Sequence, residues 1–271
     1  MIDIQQDAAV ISRLDQCTQD IVKRHKEELL SQIKNESQRI IVRYYLNVLR
    51  ELCEQACRCL MVNAFSTAEV MSRVIIEQSA NLLYVAMDSG GNALALLRSS
   101  RLLTQNNGKN WITYLNAHGL ENTAARARQA NGEALLADFD KRWPSVDRYP
   151  GSKALFARIG WENQYHAFYA PLCDSVHSFS DDLSNIVEIS ELFATSAQHG
   201  THMLTYWEKE RRRLATYHCA VAVALRSEAI GRICDIVGFA HVLKEIQEAA
   251  TELQCLVERH EQFDRVRTNH T

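Results

Sequence analysis

Apolar residues recur every three or four positions along most of the chain, the spacing that places them on one face of an α-helix. The pattern is densest in residues 66–87, STAEVMSRVIIEQSANLLYVAM, where Val70, Met71, Val74, Ile75, Leu82, Leu83 and Val85 surround a single polar stripe of Arg73, Glu77, Asn81 and Tyr84. Ser66 and Glu69 have the capping-box spacing that starts a helix, and Asp88-Ser-Gly-Gly supplies a stop. Upstream, Ala8, Ile11, Leu14, Ile21, Leu29 and Ile33 predict one long helix over residues 1–35, about 45–50 Å in length. That exceeds what one compact body needs, so the helix is a candidate arm for homodimerisation as well as a helix lying across its own body. A break at 35–37 precedes a second apolar helix, 40–63.

Downstream, helices are expected over 93–103, 111–118 and 121–143, with a turn at Gln105-Asn-Asn-Gly-Lys-Asn110. Residues 144–152, PSVDRYPGS, read as a surface loop and the largest internal boundary. A helix over 161–176 should kink or restart at Pro171, and Ser180-Asp-Asp caps the next one. Two long helices, 183–213 and 215–259, close the chain, the second bent near Gly231 or Gly238, and 265–271 reads as a frayed end. The expected architecture is a single all-α multi-helix bundle spanning 1–271.

Composition agrees. The chain has 46% hydrophobic and 23% charged residues with only 3 Pro and 10 Gly, which excludes wholesale disorder and disfavours strands with tight turns. A formal net charge of −3 argues against a general polyanion binder, although a local basic patch is compatible with it. No apolar run approaches the roughly 20 residues that cross a bilayer. Eight cysteines without a signal-like start point to a reducing, cytoplasmic setting with no membrane partner.

Two sets of residues could carry chemistry. An Arg and a Glu on an apolar helix must pair or find a ligand, because an unpaired buried charge costs several kcal/mol. Arg73 and Glu77 therefore form either a structural i,i+4 pair or half of a site. The segment YHAFYAPLCDSVH supplies the other half: Tyr165, Tyr169 and Ser175 as walls and hydrogen-bonding groups, and His177 for proton transfer. Together, Arg73, Glu77 and His177 would make a charge-balanced site that holds a phosphate or carboxylate, with Asn81 and Tyr84 beside it. The second set is Arg213-Leu-Ala-Thr-Tyr-His218, an Arg-x4-His spacing preceded by Arg211 and Arg212. Its alternative reading is a solvated charged face.

Metal chemistry finds little support. Cys53, Cys57 and Cys59 lack a second Cys or His pair at zinc spacing, and His199 and His202 lack an accompanying Glu-x-x-His. No phosphate-cradling Gly loop, nucleophile elbow or dinucleotide fingerprint is present, so no cofactor is expected.

The helix Arg73-Val-Ile-Ile-Glu77-Gln-Ser-Ala-Asn81, followed later by the Tyr-rich segment ending in Val-His177, resembles a bacterial all-helical family of unknown function over about residues 40–210. The resemblance implies a cytoplasmic bacterial protein, with some relatives tied to defence or toxin functions, and implies that the Arg/Glu/His set belongs together. Arg213 and His218 resemble the Arg-x4–6-His motif of the helical ribonuclease superfamily of toxins and CRISPR effectors. That resemblance implies metal-free RNA cleavage by paired Arg and His residues. Two functions follow as expectations: an enzyme acting on RNA or nucleotides, or a non-catalytic helical module that binds a protein partner or small ligand.

Overall fold

The computed structural model describes the backbone of residues 2–178 and 180–268 and the side chains of residues 2–174 and 183–263. The chain is all-α, and no strand occurs among the described residues. In order the elements are α1 (Ile4–Gln32), α2 (Glu36–Met61), α3 (Phe65–Ala86), α4 (Gly91–Ala117), α5 (Thr123–Arg142), α6 (Ser152–Arg158) and α7 (Glu162–Gln164), then a π-helical turn (Tyr165–Tyr169). After it come α8 (Ala170–Ser178), α9 (Ser180–Thr195), α10 (Ala197–Ile236) and α11 (Ala240–Thr268).

Helix α3 is apolar on nearly every side, which is the signature of a helix surrounded by protein, and it lies at the centre between α2 and α10. Its residues Ser79 to Ala86 are all buried. The stretch of α10 over residues 219–223 is small, apolar and buried, which lets α3 and α10 approach closely. Helix α1 lies over α2, α10 and α11, and its stripe of Ile11, Leu14, Ile21 and Leu29 is buried there. The apolar face that suggested a dimerisation arm is thus covered within this chain.

Three local expectations are corrected. Helix α3 begins at Phe65 with Ala64 as its N-cap and no side-chain cap; the Ser66 hydroxyl instead accepts from Arg211, and Glu69 bonds to His218. Tertiary partners have taken both capping groups. The polar cluster 105–110 is not a turn, because α4 runs through it. Gly108 packs on the backbone of Gln129 and Gly132 on that of Gln105, where an added Cβ would come within 3.2–3.4 Å, so these glycines serve the close α4–α5 contact. Finally, no break occurs at residues 213–215. The chain breaks instead at Ser196, and α10 is unbroken for 40 residues until Gly238, one of the two expected bends, whose φ of 80° is left-handed.

Polar groups also brace α1 against α10 and against α11. Asp15 and Arg226 pair in the interior at 2.9 Å, and Asp7 receives Nε2 of the fully buried His260 at 3.0 Å as well as Arg259. Burial pushes the His260 pKa below its ordinary 6.5, with Asp7 opposing. A histidine kept neutral on folding binds fewer protons than the unfolded chain. Its stabilisation is complete above that ordinary value and is lost as pH falls below it toward the lowered folded value. The thermal midpoint should therefore fall between about pH 7 and pH 5.5 in the wild type and fall less steeply in His260→Gln, as measured by circular dichroism melts. Parallel curves for the two proteins would contradict this role.

Candidate functional site

Ser66, Glu69, Arg73, Glu77 and Asn81 follow one another at spacings of three and four, so they form one stripe along α3, about 22 Å long. The stripe faces the chain between α5 and α8 at one end and α10 at the other.

At the first end, Arg73 is held from three directions. Its Nη1 lies 3.3 Å from Glu77, its Nη2 donates to the Tyr169 hydroxyl at 3.2 Å, and its Nε donates to Cys173 Sγ at 3.2 Å. The guanidinium also sits 5.3 Å from the centre of the Tyr169 ring. Burial works against the charge on Arg73, yet the contacts with Cys173, Tyr169 and Glu77 outweigh it and raise its pKa. Arg73 and Glu77 keep 21% and 28% of their side chains open to solvent, so the pair is neither sealed nor fully hydrated.

Local chain geometry puts Tyr169 and Cys173 there. The π turn shifts the hydrogen bonding by one residue, with the Ala170 N–H donating to the Tyr165 carbonyl. Pro171 follows directly and has no N–H for the carbonyl four residues back, so the widened turn lets the helix continue past it. From the loop before α6, Tyr149 donates to Asn81 Oδ1 at 2.5 Å and meets Tyr84 edge-to-face at 5.8 Å. Burial pushes the Tyr45, Tyr149 and Tyr169 phenols upward, and the Glu77 carboxylate adds to each shift, which places one carboxylate among three neutral phenols.

At the second end, His218 of α10 directs Nδ1 to Glu69 Oε1 at 3.2 Å, with 20% and 13% of the two side chains exposed. Glu69 and Arg73 are one turn apart on the same face, about 5–6 Å between Cβ atoms, so the His–Glu and Arg–Glu pairs are neighbours. Arg211 reaches Ser66 and stacks on Trp207, while Arg212 lies over Phe65. Two arginines and a histidine of α10 therefore flank the first half of α3, beside Arg73 on α3 itself.

Of the residues singled out from the sequence, Arg73, Glu77, Asn81, Tyr84, Tyr169 and His218 lie on or against this stripe. Tyr84 is buried, and burial raises its pKa while the nearby Arg158 guanidinium opposes the rise. Tyr165 packs on Phe156 and Tyr169 instead of on the arginine. Arg213 points elsewhere: five residues from His218 on one helix, it is turned by about 140°. It is buried, with Glu210 accepting from it at 2.8 and 2.9 Å and with Phe263 under its guanidinium. Ser175 and His177 belong to α8, and their side chains lie outside the described residues.

Glu69, Tyr149, Tyr45 and Cys173 join the site beyond the residues that spacing in the sequence singles out. Glu69 was legible, since it stands four residues before Arg73; Tyr149 comes from a loop and carries no periodic signal. No group of three metal-ligating side chains occurs on the stripe; among the described residues such a group is His25, Glu28 and His241, at the contact of α1 with α11. All eight cysteines are free thiols; Cys53, Cys57, Cys219 and Cys234 are buried, burial pushes the Cys53 and Cys234 thiols upward, and contact with Cys57 together with burial does so for Cys219. No described helix is long and apolar enough to cross a membrane.

No curated protein and no solved structure matches the chain. A family model does match residues 38–192, taking in all of α3, the Tyr149 loop and the π turn, and leaving α1, α10 and α11 outside. Covering more than half of the sequence, that match makes this chain a member of the family of unknown function DUF5677.

Proposed function

We propose that the α3 stripe is a site for a phosphate-bearing ligand, RNA or a nucleotide, at which Arg73 holds a phosphate oxygen and the Glu69–His218 pair moves a proton. The observation that carries this reading is the adjacency of the two half-open pairs on one helix face, Arg73–Glu77 and His218–Glu69. The three contacts of Arg73 measure 3.2–3.3 Å, longer than the 2.7–2.9 Å of strong charge-assisted hydrogen bonds, so an anionic ligand oxygen can replace one of them at a net gain. Glu69 on Nδ1 orients the His218 ring and leaves Nε2 for substrate.

On RNA, Nε2 takes the proton of a 2′-hydroxyl, and that oxygen attacks phosphorus. The 5′-oxygen leaves and takes a proton from water, which yields a cyclic phosphate without a metal. Arg211 and Arg212 supply further charge for the backbone, and Trp207 a face for a base. The acidic net charge is compatible with this because the cations are clustered. Eight free thiols support action in a reducing cytoplasm.

A non-catalytic binding module is the second reading. What favours it is that every guanidinium nitrogen of Arg73 already has a partner inside the protein. Expression of wild type, Glu69→Gln, Arg73→Ala and His218→Ala in bacteria separates the two. Growth arrest with RNA cleavage, abolished by His218→Ala and Arg73→Ala at equal protein levels, is the expected result. Wild-type expression without arrest or cleavage leaves the binding module.

A further inference from the structure

We infer that His25, Glu28 and His241 form a binding site for a divalent transition-metal ion, Zn2+ foremost, which ties α1 to the start of α11. His25 and Glu28 stand three apart on α1 and share a face. His241 is the second residue of α11, carried to them by the left-handed turn at Gly238. The two imidazoles, from opposite ends of the sequence, meet edge-to-face with centroids 5.4 Å apart. His25 Nδ1 lies 3.9 Å from Glu28 Oε2, too far for a hydrogen bond, and one ligand atom from each of the three residues falls within 4.8 Å of the others.

A tetrahedral zinc with bonds of about 2.0–2.2 Å holds its ligand atoms roughly 3.3–3.6 Å apart. Side-chain rotation closes the difference, and Glu28, with 61% of its side chain exposed, is free to supply it. Nearby cations do not compete for that carboxylate: Arg24 is paired with Glu245 at 2.7 Å, and Lys26 donates to Asn47 at 3.0 Å. On the protein side, Leu29, Val242 and Ile246 form an apolar wall beside His25, which strengthens coordination by keeping water to one side. Two imidazoles and one carboxylate select zinc and its neighbours over Mg2+ or Ca2+, and three protein ligands leave a fourth position for water. The site is separate from the α3 stripe and does not depend on the function proposed for it.

The test is a ZnCl2 titration of the full chain under reducing conditions in a Cys17→Ser/Cys255→Ser background, since those two exposed thiols are the competing ligands. One ion per chain is expected, together with a rise in thermal midpoint. His25→Ala and His241→Ala should each weaken binding roughly tenfold or more and abolish the midpoint rise, and Glu28→Gln should weaken it measurably. Circular dichroism without metal checks that each variant folds, and His241→Gln serves if the alanine does not. Absence of stoichiometric binding, or binding unchanged in both histidine variants, would overturn the assignment.

Discussion

Replacing Arg226 with Met should destabilise the fold by about 3–5 kcal/mol, seen as a large drop in the urea midpoint. Arg226 and Asp15 are each about 2% exposed and 2.9 Å apart. Burial already pushes the Asp15 pKa upward, held in check by the Arg226 charge and by the hydrogen bond from Gln19 at 2.6 Å. Without the guanidinium, that carboxylate must be protonated or hydrated inside the α1/α2/α10 layer, and either course costs energy. Adding Asp15→Leu should recover most of the loss, because an apolar pair of similar volume carries no desolvation penalty. Equal midpoints for the wild type and the single variant would show that water reaches Asp15 in the folded state.

The largest effect on activity is expected at His218. Loss of a positioned general base typically lowers a rate by about 10²–10⁴-fold, so His218→Ala should reduce RNA cleavage by that factor while changing RNA affinity little. Glu69→Gln, which keeps the side-chain shape but removes the charge facing Nδ1, should retain part of the rate. Single-turnover cleavage with purified protein separates the two effects. A His218→Ala protein that cleaves as fast as wild type would assign His218 a structural role against Glu69.

The helices were legible wherever apolar periodicity was strong and uninterrupted. The long α1, the apolar α3, the loop before α6 and the anomaly at Pro171 all stand near their expected places. At residues 66–69 and 105–110 the local meaning of polar and glycine residues differs from their role, because tertiary partners decide it. Gly108 signals a turn in isolation but serves a helix crossing, and Ser66 and Glu69 look like a cap but bond to α10.

The candidate site shows the same division. The i,i+4 register placed Arg73, Glu77 and Asn81 on one face from spacing alone, because one helix carries all three. Which residues meet that face was not legible, since Tyr149, Cys173 and His218 arrive from three other segments. Arg213 and His218 looked paired in sequence, but five residues on an unbroken helix turn them to different neighbours.

Fluorescence anisotropy of a labelled single-stranded RNA titrated with wild type, Arg73→Gln and Arg13→Gln tests the central claim most directly. Arg13 is an exposed arginine paired with Glu252 on α11, away from the α3 stripe, and serves as the charge-matched control. Loss of a charge-assisted contact of about 1.5–3 kcal/mol predicts binding weakened roughly 10–150-fold by Arg73→Gln and nearly unchanged by Arg13→Gln, with melting curves confirming that both fold. No binding by the wild type, or equal weakening by the two substitutions, would contradict a phosphate site on α3.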